Sequence, residues 1–131
     1  MKSILGVLFF VFSLLYAKPI TNDMKFQSIY SKIENSNKLI LMIYTAKTCP
    51  QCAYMKEKVF KDKEVKRFME KHFVVLEKDI NKDDLPDGFE YFGIPTMFFI
   101  DKEGNQIDKF IGSSRAKPFL GTLKKIAQEN L

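Results

Sequence analysis

LILMIYTAKTCPQC, residues 39–52, is the stretch on which the fold turns. Leu39 to Tyr44 is an unbroken apolar run of strand length, the pattern of a central strand buried on both faces. Thr45-Ala46-Lys47-Thr48 makes a short loop, and Cys49-Pro50 opens a helix. Proline is well placed there, because the first helical turn has no intrahelical acceptor waiting for its N–H. Cys52, Met55, Val59 and Phe60 then share one face of the helix.

The same reading extends outward in both directions. Downstream, a helix restarts near Asp62 with Val65, Phe68, Met69 and His72 at helical spacing, and Phe73 to Asp79 reads as a second strand. This completes a β-α-β unit whose crossover is expected to be right-handed. Upstream, Asn22 or Asp23 is placed to cap a helix carrying Met24, Phe26, Ile29, Tyr30 and Ile33, which Asn35-Ser36-Asn37 ends. Asp83 to Phe92 reads as a polar connection with a short helix. Gly93-Ile94-Pro95-Thr96 follows, then the strand Met97 to Ile100. Turn residues Asp101-Lys102-Glu103-Gly104-Asn105 separate it from a returning strand, Gln106 to Ile111, as in a hairpin. Gly112 ends that strand, and a terminal helix from Lys117 turns Phe119, Leu120, Leu123, Ile126 and Ala127 inward. The order predicts an α/β domain: one small sheet with helices on both faces.

Length and composition agree. A chain of 131 residues has room for one domain, and 46% hydrophobic with 28% charged residues is ordinary globular usage. Thirteen Phe and five Tyr supply core bulk, so the domain needs no structural disulfide to fold. The net charge is +5, but the lysines at 56, 58, 61, 63, 66 and 71 are interleaved with Glu57, Asp62, Glu64 and Glu70, and Arg67 and Arg115 are the only arginines. That mixture is a solvated helix face rather than a stripe that tracks phosphates, which excludes nucleic acid as the main partner.

At the N-terminus, Lys2 precedes an apolar run from Ile4 to Tyr16 closed by Ala17. A short basic region, an apolar region and a small residue at the cut are the parts of an export signal. The run is shorter than the roughly 20 residues that span a bilayer comfortably. The expected division is a signal peptide over 1–17 and a mature domain over 18–131, with an uncleaved membrane anchor and a buried N-terminal helix or strand as the competing readings. The lack of a cysteine after the apolar run argues against a lipoprotein.

Cys49 and Cys52 are the only cysteines. A disulfide across so short a loop constrains little of the unfolded chain, so it is a poor staple. As a reversible couple the spacing makes sense, since one helical turn holds both sulfurs within reach of each other. Cys49 falls where unpaired N–H groups and the helix dipole favour negative charge, and such sites bring a thiol from about 8.5 towards about 7 or lower. Cys49 is therefore read as the attacking thiol and Cys52, deeper on the apolar face, as the resolving one. Lys47 and Lys56 add positive potential if they face the sulfur. A closed zinc site needs about four ligands, and two Cys with one His do not supply them. His72 reads as a surface or core-edge residue, and the methionines as core packing rather than copper ligands. No metal and no cofactor are expected.

Together these segments resemble the thioredoxin superfamily: the strand Leu39–Tyr44, then Thr48-Cys49-Pro50-Gln51-Cys52, then Gly93-Ile94-Pro95-Thr96 before a Phe-rich strand and a Gly-bearing hairpin. The resemblance runs from about Asp23 to the C-terminus. It implies the thioredoxin fold, a central mixed sheet of about four strands flanked by helices. Exported thioredoxin-like proteins linked to sulfur oxidation and periplasmic disulfide reduction are closest in pattern, their Val-Phe-x-Asp-x-x-Val segment matching Val59-Phe60-Lys61-Asp62-Lys63-Glu64-Val65. The resemblance implies a cis Pro95 opposite Cys49, and a substrate-binding segment at Ile94, Pro95 and Thr96 in which Ile94 lends its backbone to the bound chain. It departs from cytosolic thioredoxins in having Ile43 where they carry a buried acid and Thr48 where they carry Trp, so Cys52 must lose its proton to water or to a neighbouring carboxylate. Pro50-Gln51 also lacks the His of strong periplasmic oxidases.

By resemblance the chain is a monomeric periplasmic thiol–disulfide oxidoreductase. It would reduce protein or small-molecule disulfides and be kept reduced by a membrane electron-donor protein. The alternatives are a dithiol oxidase or isomerase, and a non-catalytic partner-binding or metal-delivery module.

Overall fold

The computed structural model describes residues 24–131. The export signal read over 1–17 and the helix cap read at Asn22 or Asp23 lie outside the described residues. Helix α1 (Met24–Ile33) leads into strand β1 (Leu39–Thr45). After Cys49 come α2 (Pro50–Tyr54), a π-helical turn (Met55–Val59) and α3 (Lys63–His72). Strand β2 (Phe73–Asp79) is separated from β3 (Thr96–Ile100) by a long connection, and β4 (Gln106–Ile111) and α4 (Ala116–Asn130) close the domain.

The strand order is β2-β1-β3-β4. Strand β2 runs parallel to β1, β3 runs antiparallel to it, and β4 runs antiparallel to β3. The two central strands are the two continuous apolar runs, as burial on both faces requires. Successive strand residues face opposite ways, so the runs divide into two cores. Leu39, Leu41, Ile43, Met97 and Phe99 pack with Met55, Val59, Val65, Met69 and the inward residues of α4. Ile40, Met42, Tyr44, Phe98 and Ile100 pack with Phe26 and Ile33 of α1 and with Phe89. The sheet is thus the middle layer of three.

Between β2 and β3 the structure differs from the sequence expectation. No helix forms within 83–92; the chain runs through turns and bends. Pro86 disfavours helical backbone in Leu85 before it, and Gly88 takes φ +86°, a left-handed conformation that stops a right-handed helix. Leu85, Phe89 and Tyr91 pack individually against the second core instead. Phe89 sets its ring edge against Phe98 at 5.5 Å and tilts against Phe26 at 5.7 Å. The connection is tied to the sheet by Lys78, only 1% exposed, whose ammonium donates to the Asp84 carbonyl at 3.1 Å.

Where one α-helix would continue from Cys49, the backbone widens into the π turn after Tyr54. Met55 and Val59 are still delivered to the first core, and the backbone N–H of Ser114 reaches Met55 Sδ at 3.3 Å. Such turns recur at functional sites. Asp62 starts α3 anew, its Oδ1 accepting from Glu64 N–H at 3.0 Å and Val65 N–H at 3.2 Å.

Candidate active site

Strand β1 ends at Thr45, and the turn that follows is pinned by the Cys49 N–H donating to the Ala46 carbonyl at 3.3 Å. This leaves Cys49 extended (φ −98°, ψ 106°) at the N-cap of α2, with Pro50 in the first turn. Its Sγ accepts from the Cys52 N–H at 3.1 Å. The position usually filled by a Ser or Asp oxygen is therefore filled by a sulfur, and one of the orphan donors of the helix points at it. The two cysteines are joined in a disulfide, with Cα atoms 5.2 Å apart. Cys49 is half-buried, whereas Cys52 is 5% exposed. One sulfur is reachable and the other is covered.

The segment Gly93–Thr96 arrives from the far side of the sheet, and the Ile94–Pro95 peptide is cis. The Ile94 carbonyl oxygen stands 3.8 Å from Cys49 Sγ. Thr96 is fully buried, its hydroxyl donating to the Gly93 carbonyl at 2.6 Å, and the Pro95 carbonyl accepts from Gly112 N–H at 2.8 Å. Thr96 and Pro95 thus hold the segment in shape. Among the described residues the Ile94 N–H donates to no protein group, so Ile94 presents its backbone beside the sulfur.

Lys47 is exposed in the loop before Cys49. Lys56 is committed elsewhere: its ammonium binds both carboxylate oxygens of Glu77, at 3.0 and 3.1 Å. Glu77 is the site-adjacent residue that sequence reasoning missed. Strand register sets it beside Ile43, the position where cytosolic thioredoxins carry their acid. Glu77 is one of two carboxylates in β2, with Asp79, and is itself exposed, so nothing in the strand singled it out; its partner depends on the β1–β2 register.

His72 lies away from this chemistry. It ends α3 beside Phe73, which pairs with Leu39 at the start of β1, while Cys49 follows the other end of that strand, roughly 20 Å on. Its ring packs on Phe68 at 4.4 Å, and burial holds its pKa below the ordinary 6.5, with Lys71 and Lys38 adding repulsion. Among the described residues no three His, Cys, Asp or Glu side chains gather as a metal site.

Comparison with known proteins agrees with this geometry. A family model described as "Thioredoxin-like domain" matches residues 26–127. Thioredoxin H4 of Arabidopsis thaliana is 36% identical over 87 residues, covering 64% of this chain and 68% of that protein. Among solved structures, a thioredoxin from Thermus thermophilus superposes with a TM-score of 0.64 at 23% identity, covering 76% of this chain and 82% of its own. A structure titled DsbH oxidoreductase gives 0.62 at 21% identity, covering 76% and 78%. The C-terminal domain of Neisseria meningitidis DsbD gives 0.60 at 18%, covering 76% and 90%.

Proposed function

The chain belongs to the thioredoxin-like domain family and has the Cys49–Cys52 pair of a thiol–disulfide oxidoreductase; we propose that it works as a reductant of disulfides outside the cytoplasm. The observation that carries the reading is the placement of Cys49 Sγ: at the head of α2, 3.1 Å from a backbone donor, bonded to a buried partner, and 3.8 Å from the Ile94 carbonyl.

In the reduced protein, Cys49 as thiolate attacks one sulfur of a substrate disulfide. A Cys49–substrate disulfide forms, and the other substrate sulfur leaves as a thiolate that takes a proton from water. The substrate chain is held by pairing with the exposed backbone of Ile94, which sets its sulfur in line with Cys49. Cys52 then loses its proton and attacks Cys49 Sγ. The Cys49–Cys52 bond forms, the second substrate thiolate leaves, and two electrons have passed to the substrate. The oxidised couple is the form the structure describes.

Cysteine pairs at this spacing cycle only if something returns the electrons, so the cycle requires a dithiol donor. We assign that role to a membrane-held protein, in keeping with an export signal over 1–17 and a mature domain over 18–131. The reductive direction rests on Pro50-Gln51, which lacks a cationic neighbour to stabilise the reduced thiolate, and on the commitment of Lys56 to Glu77. Sulfur-compound metabolism and repair of wrongly oxidised proteins are the roles that suit such a reductant.

Insulin reduction with a dithiol donor tests the reading. Wild-type protein should turn over and Cys49→Ser should be inert. Cys52→Ser should accumulate covalent adducts that dithiothreitol releases. An active Cys49→Ser protein would overturn the assignment.

A further inference from the structure

Phe92 is 88% exposed, far more than any other large apolar side chain among the described residues; Ile111 follows at 51%. Exposed apolar residues scattered singly are normal and carry no message. Phe92 is not placed at random, however. It stands two residues before Ile94, whose carbonyl touches Cys49 Sγ, and three before the cis proline.

The ring is also held. The Lys109 ammonium lies 5.7 Å from its centroid and 6.0 Å from that of Phe98, and reaches the Glu90 carbonyl at 3.5 Å. A cation over an aromatic face fixes it at modest gain while leaving the opposite face open to solvent. Lys109 and Ile111 are two apart on β4 and face the same way, and Ile111 is in register with Thr96 beside the proline. Lys109 thus links Phe92 to the edge strand whose Ile111 lies in register with Thr96, next to the cis proline.

We propose that Phe92 and Lys109 form a substrate subsite that takes an apolar side chain, with an acidic residue beside it, from a polypeptide carrying the disulfide. The proposal rests on the exchange reading above and names its substrate class. A chain pairing with Ile94 passes Phe92 within about two residues' rise, roughly 7 Å, so the anchored side chain lies about two positions from the attacked cysteine. An aromatic ring offers a large apolar area for a partner side chain to cover, and the partner's carboxylate meets the Lys109 charge. A small disulfide without a chain gains nothing here.

The test uses reduced full-length protein and stopped-flow release of thionitrobenzoate from peptide mixed disulfides. One peptide has Leu two residues from its cysteine with Glu adjacent; others replace Leu by Ser, or Glu by Lys. Hydroxyethyl disulfide, which has neither chain nor ring nor charge, is the control, read by loss of protein thiols. The wild type should react about tenfold faster with the Leu–Glu peptide than with the Ser peptide. Phe92→Ala should abolish that preference, Phe92→Leu should retain most of it, and Lys109→Gln should abolish only the preference for Glu over Lys. All three variants should match the wild type on the control. Equal wild-type rates on all peptides, or a preference that survives Phe92→Ala, would overturn the subsite while leaving exchange intact. Failure of the wild type on every disulfide, control included, would instead overturn the exchange reading itself.

Discussion

Cys49 and Cys52 are chemically identical side chains made unequal by the backbone. Cys49 sits at the N-cap with a backbone N–H directed at its sulfur, and Cys52 lies one turn deeper at 5% exposure. Reduced protein treated with a limiting alkylating agent should be modified at Cys49 at least about tenfold faster than at Cys52, read by peptide mass spectrometry. Equal labelling would mean that the helix terminus does not distinguish them. His72 supplies a second residue-level prediction. Burial lowers its pKa below 6.5, so the folded state binds its proton less readily than the unfolded chain. Unfolded chain then takes up more protons as pH falls through the ordinary histidine range, and the fold loses stability there. A melting-temperature series from pH 8 to 5 should fall on the acid side, and His72→Asn should flatten that fall. These two residues also mark what was legible. The redox pair was plain from its spacing and its junction between strand and helix. Glu77 was not, because its meaning comes from Lys56 and Ile43, which are distant in sequence and meet only through the β1–β2 register.

Among the elements, the strands were the most legible, since continuous apolar runs and a Gly-bearing turn are local signals that tertiary packing reinforces. The segment 83–92 was the least legible. Its apolar residues fall near helical spacing, yet Pro86 and Gly88 break the backbone and the aromatics dock one at a time. The π turn was equally hidden, because Cys52, Met55 and Val59 satisfy ordinary helical spacing and no residue among them marks the change. Asp62 gives an element-scale test. Its two backbone acceptor bonds start α3, and Asp62→Ala should lower stability by about 1 kcal/mol in urea unfolding without altering exchange activity. By contrast, Lys56→Met should change stability by less than about 1 kcal/mol, because the Lys56–Glu77 pair is about half exposed and screened by water.

At the scale of the molecule, the sheet order brings two sequence-distant segments together: the turn after β1 that ends in Cys49, and the turn before β3 that contains Pro95. They meet because β1 and β3 are antiparallel neighbours, with Tyr44 opposite Thr96. Whatever loosens that pairing should loosen the site. Phe98 lies in the β1–β3 pair, fully buried and against Tyr44 at 4.8 Å and Phe89 at 5.5 Å. Phe98→Ala should cost about 3–5 kcal/mol by urea unfolding, a large part of the stability of a domain this size. Surface substitutions on the lysine-rich face of α3 should do almost nothing.

The reduction potential of the Cys49–Cys52 couple tests the central claim most directly. Equilibrating the protein against a thiol–disulfide buffer and quantifying the free thiols at each ratio gives it. A couple that serves as an extracytoplasmic reductant should lie near the thioredoxin end of the scale, at about −270 mV. A value close to about −120 mV would make the protein an oxidant and contradict the account.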